Sequence, residues 1–338
     1  MPYLENDEFA STSTLFILNI YRATPETPLY TQSTNDLTHR GRLLRFTPGK
    51  DDKPVTLLQD LHMPDGIAIS KKHNRIFWTQ MGNAGSNDGS VMTSNLDGSD
   101  VKCILSGGAV HTPKQIVIDE EADKLYFCDR EGLRAHRCDL DGGDHEVLIQ
   151  TGDWRNPEHQ SNQTRWCVGI AISRELGKLY WTQKGAPKMR QGRIFSANLE
   201  IPSGYTAEDR PDIELVAENL PEPIDLELDE DMGALYWTDR GEFPFGNTLN
   251  RKTLRVRGDS PREEERKLGR EILAEGFGEA IGLALDKIHG CAWVADLAGR
   301  IWKCDTTKPA AKQKVHEEEL AVFTGLALCH GQFHGPGL

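Results

Sequence analysis

Long apolar runs are missing from this sequence. A membrane-spanning helix needs ~20 consecutive apolar residues, and the run Leu15 to Ile20 falls far short of that. Basic excess is missing too: 39 Lys and Arg stand against 52 Asp and Glu, a formal charge of −13. That balance excludes a phosphate-tracking nucleic-acid binder and a polybasic membrane-surface protein. The seven cysteines are odd in number and contain no C-x-x-C pair, which argues against a disulfide framework. The acidic, polar start MPYLENDEFASTST lacks the basic and apolar regions of a secretory signal, so a cytoplasmic, thiol-containing protein is expected. Nucleophile and nucleotide signatures are absent as well: there is no G-x-S-x-G, no G-x-x-x-x-G-K-[ST] and no H-E-x-x-H. Histidines fall singly along the chain, so neither a metal nor another cofactor is expected.

What the sequence does contain is a repeat. RIFWTQ from Arg75, KLYFCD from Lys124, KLYWTQ from Lys178, ALYWTD from Ala234 and CAWVAD from Cys291 align with one another. Each follows a short apolar run: GIAIS from Gly66, QIVID from Gln115, GIAIS from Gly169, DLELD from Asp225 and GLALD from Gly282. Phe77, Tyr126, Tyr180, Tyr236 and Trp293 are then equivalent, at spacings of 49, 54, 56 and 57 residues. Short β-branched and aromatic runs broken by Gly, Asn and Asp read as strands. Several such strands per ~50-residue unit is the pattern of a propeller blade. The first run of each unit belongs near the axis, and the aromatic second run packs between blades.

Two incomplete units remain. LFILNI from Leu15 and GRLLRFTPG from Gly41 look like later strands of a blade without its first, and TGLALCH from Thr324 looks like a first strand alone. Together they make a sixth blade, shared between about residues 12–60 and 321–331 and closed by strands from both termini. The chain 1–338 thus reads as one all-β domain, a six-bladed β-propeller of four-stranded antiparallel blades. Tyr236-Trp237-Thr238-Asp239 and its variants resemble the YWTD repeat of the propellers first known from lipoprotein receptors. A free-standing, intracellular propeller of this kind also resembles proteins of fungal natural-product clusters. That resemblance implies a cofactor-independent cyclase, of the hetero-Diels–Alder type, joining a tropolone quinone methide to a terpene.

The end of the central channel is the natural concave site. Residues just before the first strands reach it, among them Asp65, His111, Gln115, Trp166 and Phe323. So do the long loops after the second strands, which carry Met81, Gln183, Lys184, Arg240, Phe243 and Phe245, and the longest loop, Asn19 to Arg40, which carries Tyr21. Apolar walls with a few isolated donors suit a small, largely apolar conjugated ligand. Arg240, His111, Lys184 and Tyr21 are the candidate catalytic donors. Trp166, Phe243, Phe245, Met81, Gln115, Asp65, Gln183 and Phe323 are the candidate substrate contacts. Asp129, Asp239 and Asp296, each ending a second strand, are expected to hold turn amides instead. Two other readings stand beside the cyclase: a scaffold that presents its face to a protein or peptide, and a metal-dependent lactone or ester hydrolase using Asp65, Asp225 and Glu279.

Overall fold

Alternation along each strand dictates how this chain packs. In a strand, successive side chains face opposite ways, so the two central residues of each second strand, both aromatic in blades two to five, serve two neighbours at once. Tyr180 enters the apolar cluster shared with the next blade, while Trp181 enters the cluster shared with the previous one. The same division repeats around the ring, and six clusters fill six seams between blades. Phe77 and Phe323 are fully buried there, each stabilising the fold by roughly 1.5–3 kcal/mol.

The computed structural model describes residues 12–21, 40–254 and 269–331, with the Tyr21 side chain excepted. Six antiparallel four-stranded sheets form the propeller. In blade one the inner strand Ala321–His330 pairs with Ser13–Tyr21, which continues to Gly41–Phe46 and Val55–Leu61. Ser13 lies opposite His330 and Tyr21 opposite Ala321, so both ends of the chain share one sheet. The other inner strands are Pro64–Ser70, Pro113–Asp119, Cys167–Ser173, Pro223–Asp229 and Ala280–Asp286, for blades two to six. Each lies against the next, and Ala321–His330 closes the circle between blades six and two. No helix among the described residues is long and apolar enough to cross a membrane. Residues 22–39, read above as a long loop toward the mouth, lie outside the described residues.

The threonine of the repeat has a mechanical task. Thr182 Oγ1 accepts from Gly169 N at 2.7 Å within its own blade and donates to Ile224 O of the next at 2.9 Å. Thr79 and Thr238 make the same two bonds, reaching Lys114 O and Ile281 O. In blade three the Cys128 thiol takes this place and donates to Gly169 O. In blade one Thr324 of the inner strand reaches Pro64 O. Blade six carries Ala295 at the position, whose methyl can make no such bond. The inner strands approach so closely that a Cβ on Gly169 would sit 2.0 Å from Ile224 O and one on Gly325 2.3 Å from Asp65 O. That is why glycine recurs in the first run.

Candidate functional site

Two sets of repeat-equivalent positions build the channel mouth. The first is the second residue of five inner strands, Asp65, Lys114, Val168, Ile224 and Ile281, with Thr324, the fourth residue of the longer strand of blade one, at the equivalent place. The second is the residue after each second strand: Met81, Arg130, Lys184, Arg240 and Leu297. In every one of these five blades that residue's N–H bonds back to a carbonyl just before the inner strand. Examples are Arg130 N to Thr112 O at 3.0 Å, Lys184 N to Trp166 O at 3.2 Å and Arg240 N to Glu222 O at 3.1 Å. The terminal Asp of the repeat holds the same corner. Asp239 Oδ1 accepts from Glu222 N and Gly241 N, and Asp296 takes the amides of Gly278, Ala298 and Arg300. Asp129 accepts from the amides of His111 and Thr112 and from Arg134. Burial would raise its pKa, but His136, Arg134 and the bound amides hold the carboxyl well below the usual carboxylate range.

The cavity these positions enclose measures about 320 Å3 and has a mixed lining. Val168, Ile224, Ile281 and Leu297 form an apolar cluster, and Ile20 and Val322 also line the cavity. Four cations line it as well: Lys114 and Arg130 from blade three, Lys184 from blade four and Arg240 from blade five. Lys114 is ion-paired with buried Asp65 and also touches Met81 Sδ at 3.0 Å. Arg130 is bound to Glu131. Arg240 and Lys184 share a single carboxylate: Glu222 Oε2 accepts from Arg240 Nε at 2.6 Å and lies 3.7 Å from Lys184 Nζ. Glu279, more exposed on the rim, is 4.0 Å from Arg240 Nη1. Lys184 therefore has less acceptor than its charge calls for. Burial, and then the charge of Arg240, push its ammonium down to about 8, against the opposing pull of Glu222.

Asp65, Met81, Lys184 and Arg240 of the sequence-derived set meet on this cavity. Several others stand elsewhere. His111 is 1% exposed and sits behind the wall: Nδ1 meets the Thr112 hydroxyl at 2.8 Å, Nε2 meets Gln160 at 3.2 Å, and Trp154 packs edge-on. Its neighbours in this packing come from the connection that contains the short helix α1, Pro157–Ser161. Burial lowers its pKa, while Asp129 pulls the other way. Trp166 is half-buried behind Arg130 and Lys184, whose charges lie 5.0 and 5.7 Å from its ring, and its Nε1 donates to Gln160 O. Gln115 lies one residue deeper, donating to Asp65 Oδ1 at 3.1 Å and lining the lower channel. Gln183 accepts from Arg193 beside an outer groove.

Phe323 is wholly buried in the seam between blades six and one, because strand alternation turns it away from the axis and presents Thr324 instead. Phe243 and Phe245 are 64% and 42% exposed on the outer rim, where Arg190 covers the Phe245 ring at 4.7 Å. The strand reaches Tyr21, whose side chain lies outside the described residues. The carboxylates weighed for a hydrolase metal do not gather within ligand distance. Asp65 holds Lys114, and Asp225 accepts from the amides of Leu226 and Leu283. Lys114, Arg130, Glu222 and Leu297 were not singled out as site residues from sequence. Extending the repeat register by one position at each strand end identifies all four, since Glu222 stands one residue before its inner strand as Trp166 and Glu279 do.

No family model matches the chain. It is 50% identical over 294 residues to the 3-hydroxyacyl-CoA dehydrogenase-like protein LAM1 of Cochliobolus heterostrophus, covering 87% of this chain. The match spans 62% of that relative, less than two thirds of its length. It is 40% identical over 303 residues to low-density lipoprotein receptor-related protein 1 of Pyricularia oryzae, covering 88% of this chain and 94% of that one. Among solved structures, a chain of a nidogen/laminin complex superposes with a TM-score of 0.63 at 16% identity, over 93% of this chain and 98% of that one, a likeness of fold. With its YWTD-type repeats in six blades, the chain belongs to the family of the Pyricularia relative, the low-density lipoprotein receptor-related propellers.

Proposed function

We propose that the mouth cavity binds a conjugated, electron-poor substrate through a carbonyl or enolate oxygen and holds it against an apolar partner, steering a hetero-Diels–Alder cyclisation. One observation carries this reading: Lys184 and Arg240 share one carboxylate and line, together with an apolar cluster, a cavity of small-molecule size. A ligand oxygen supplies the acceptor that Lys184 lacks. The wall of Val168, Ile224, Ile281 and Leu297 takes the hydrocarbon partner and excludes water. In the reaction one C–C and one C–O bond form as three π bonds become one. No proton, electron or leaving group is exchanged, so no nucleophile is required. Holding both partners in a near-attack pose removes entropy from the barrier, and cationic donors stabilise the oxygen on which charge grows.

The name of the Cochliobolus relative points to dehydrogenase-like chemistry. A dinucleotide fold is built on parallel βαβ units, whereas all six sheets described here are antiparallel. The propeller mouth therefore supports cyclisation better. A scaffold reading draws on Met189 and Phe243, 61% and 64% exposed on touching loops that Lys188 and Glu242 join at 3.0 Å.

The test is product profile. A tropolone quinone methide precursor and a terpene alkene are incubated with the protein, with Lys184→Met and with Arg240→Ala, each checked for folding. The protein is expected to give one dominant stereoisomer, with both variants drifting toward the uncatalysed mixture. A wild-type mixture equal to the protein-free control would sink the cyclase and leave the scaffold.

A further inference from the structure

We propose that Asp286, His289 and His330 form a binding site for a divalent transition metal of the zinc class, clamping blade one to blade six at the channel end opposite the mouth. The three residues come from the end of the inner strand of blade six, the turn after it, and the end of the C-terminal strand. One ligand atom from each lies within 4.8 Å of the others. His289 Nδ1 is 2.9 Å from both Asp286 oxygens, and His330 Nε2 is 3.4 Å from Asp286 Oδ1. Bonds of about 2.0–2.1 Å in tetrahedral geometry place ligand atoms ~3.3 Å apart. Both histidines thus already stand near that separation from Asp286, while the two imidazoles lie within 4.8 Å of each other and would draw together on the ion.

The surroundings are those of a built site. The Asp286 side chain has no exposure, while His289 and His330 retain 31% and 24%, so an ion can enter from solvent. Ser13 Oγ donates to Asp286 Oδ2 at 2.6 Å, and the His289 amide donates to Asp286 Oδ1 at 3.1 Å. Trp293 Nε1 approaches the carboxylate at 3.4 Å from the core side. Donors of this kind fix the orientation of a ligating carboxylate. Two imidazole nitrogens with one carboxylate select zinc, cobalt, nickel or copper over magnesium or calcium. Three protein ligands leave one position for water.

Location gives the site its purpose. It spans the seam where Ala295 replaces the stapling threonine, and where Ser13 and His330 form the outermost pair of the closing sheet. An ion there would bind only the closed ring and stabilise it by mass action.

The full-length protein, stripped with chelator, is titrated with Co2+ and then with Zn2+. One equivalent of Co2+ should give visible d–d absorption that Zn2+ abolishes, and Zn2+ should raise the thermal midpoint. His289→Gln and His330→Gln should each weaken binding at least ~100-fold, beyond the 10–100-fold of an outer-shell change. Anomalous scattering from Zn2+-soaked wild-type crystals should place the ion between Asp286 and His330, which decides the matter even if a variant fails to fold. Absence of saturable Co2+ binding, binding that survives both substitutions, or density elsewhere would overturn the proposal.

Discussion

The two ends of the channel are built from the same six strands and have opposite characters. At the far end the space is larger, about 580 Å3, and its rim is laced from blade to blade by polar contacts. Six bonds cross six seams: Lys71 to His330 O, Ser70 to Glu120, Arg174 to Asp119, Ser173 to Glu230, Lys287 to Asp229 and Ser13 to Asp286. At the mouth the equivalent ring is uneven. Three of its six inner-strand positions are apolar, and four cations line the cavity, with Lys184 short of an acceptor. A belt in which each blade satisfies its neighbour holds the ring together. At the mouth, the ligand proposed above would supply the acceptor that Lys184 lacks.

The largest test of that difference is at the mouth. Lys114 is wholly buried against Asp65, and burial lowers its pKa while Asp65 opposes the shift. Lys114→Met leaves the Asp65 carboxylate buried without its counter-charge and should cost about 3–5 kcal/mol in chemical denaturation. Adding Asp65→Asn should restore most of the loss, since neither charge is then stranded. A single variant as stable as wild type would mean that water, not Lys114, satisfies Asp65.

The next test reads Lys184 through pH. Its folded pKa of about 8 lies below the ordinary 10.5, so in the free protein the charge is present below that value and lost above it. The linkage to stability runs the other way: the unfolded chain takes the proton first, and stability falls as pH drops from the ordinary value toward 8. A ligand anion beside Lys184 favours the charged form, so binding above pH 8 takes up a proton. Anilinonaphthalene sulfonate, whose charge does not titrate here, should bind more weakly as pH rises through about 8, by up to ~10-fold per unit. Lys184→Arg, always charged, should bind with a flat profile. A sloping profile in the arginine variant would assign the titration to another group.

The contrast between the ends also explains what the sequence disclosed. Blade number and inner strands followed from the spacing of the repeat, and closure from the two incomplete units near the chain ends. The reason is that every blade must fill two seams with two adjacent large side chains, Phe16-Ile17 in blade one and Trp293-Val294 in blade six included. The mouth was legible to within one residue. Gln115 and Phe323 were chosen where Lys114 and Thr324 face the cavity, and one step along a strand turns a side chain to the other face. Phe243 and Phe245 misled for a different reason: a loop's length says that it is elaborated, not which way its rings point. The cluster of Asp286, His289 and His330 had no local signature, since ring closure brings together residues from the last blade and the chain end.

The smallest expected effect lies in the far belt, and its interest is in how effects combine. Ser173 donates to Glu230 at 2.6 Å across the seam between blades four and five, and accepts from Leu176 N at 3.0 Å. Ser70 does the same between blades two and three, through Glu120 and His73 N. Each serine to alanine change removes one hydroxyl and should cost about 0.5–1.5 kcal/mol, well below the loss at Lys114. The two share no partner, so the double variant should equal the sum within about 0.5 kcal/mol. Additivity would make the belt six separate stitches, each holding its own seam. A double variant worse than the sum would mean that loosening one seam strains the next around the closed ring, and the far end would then act as one hoop rather than as six bonds.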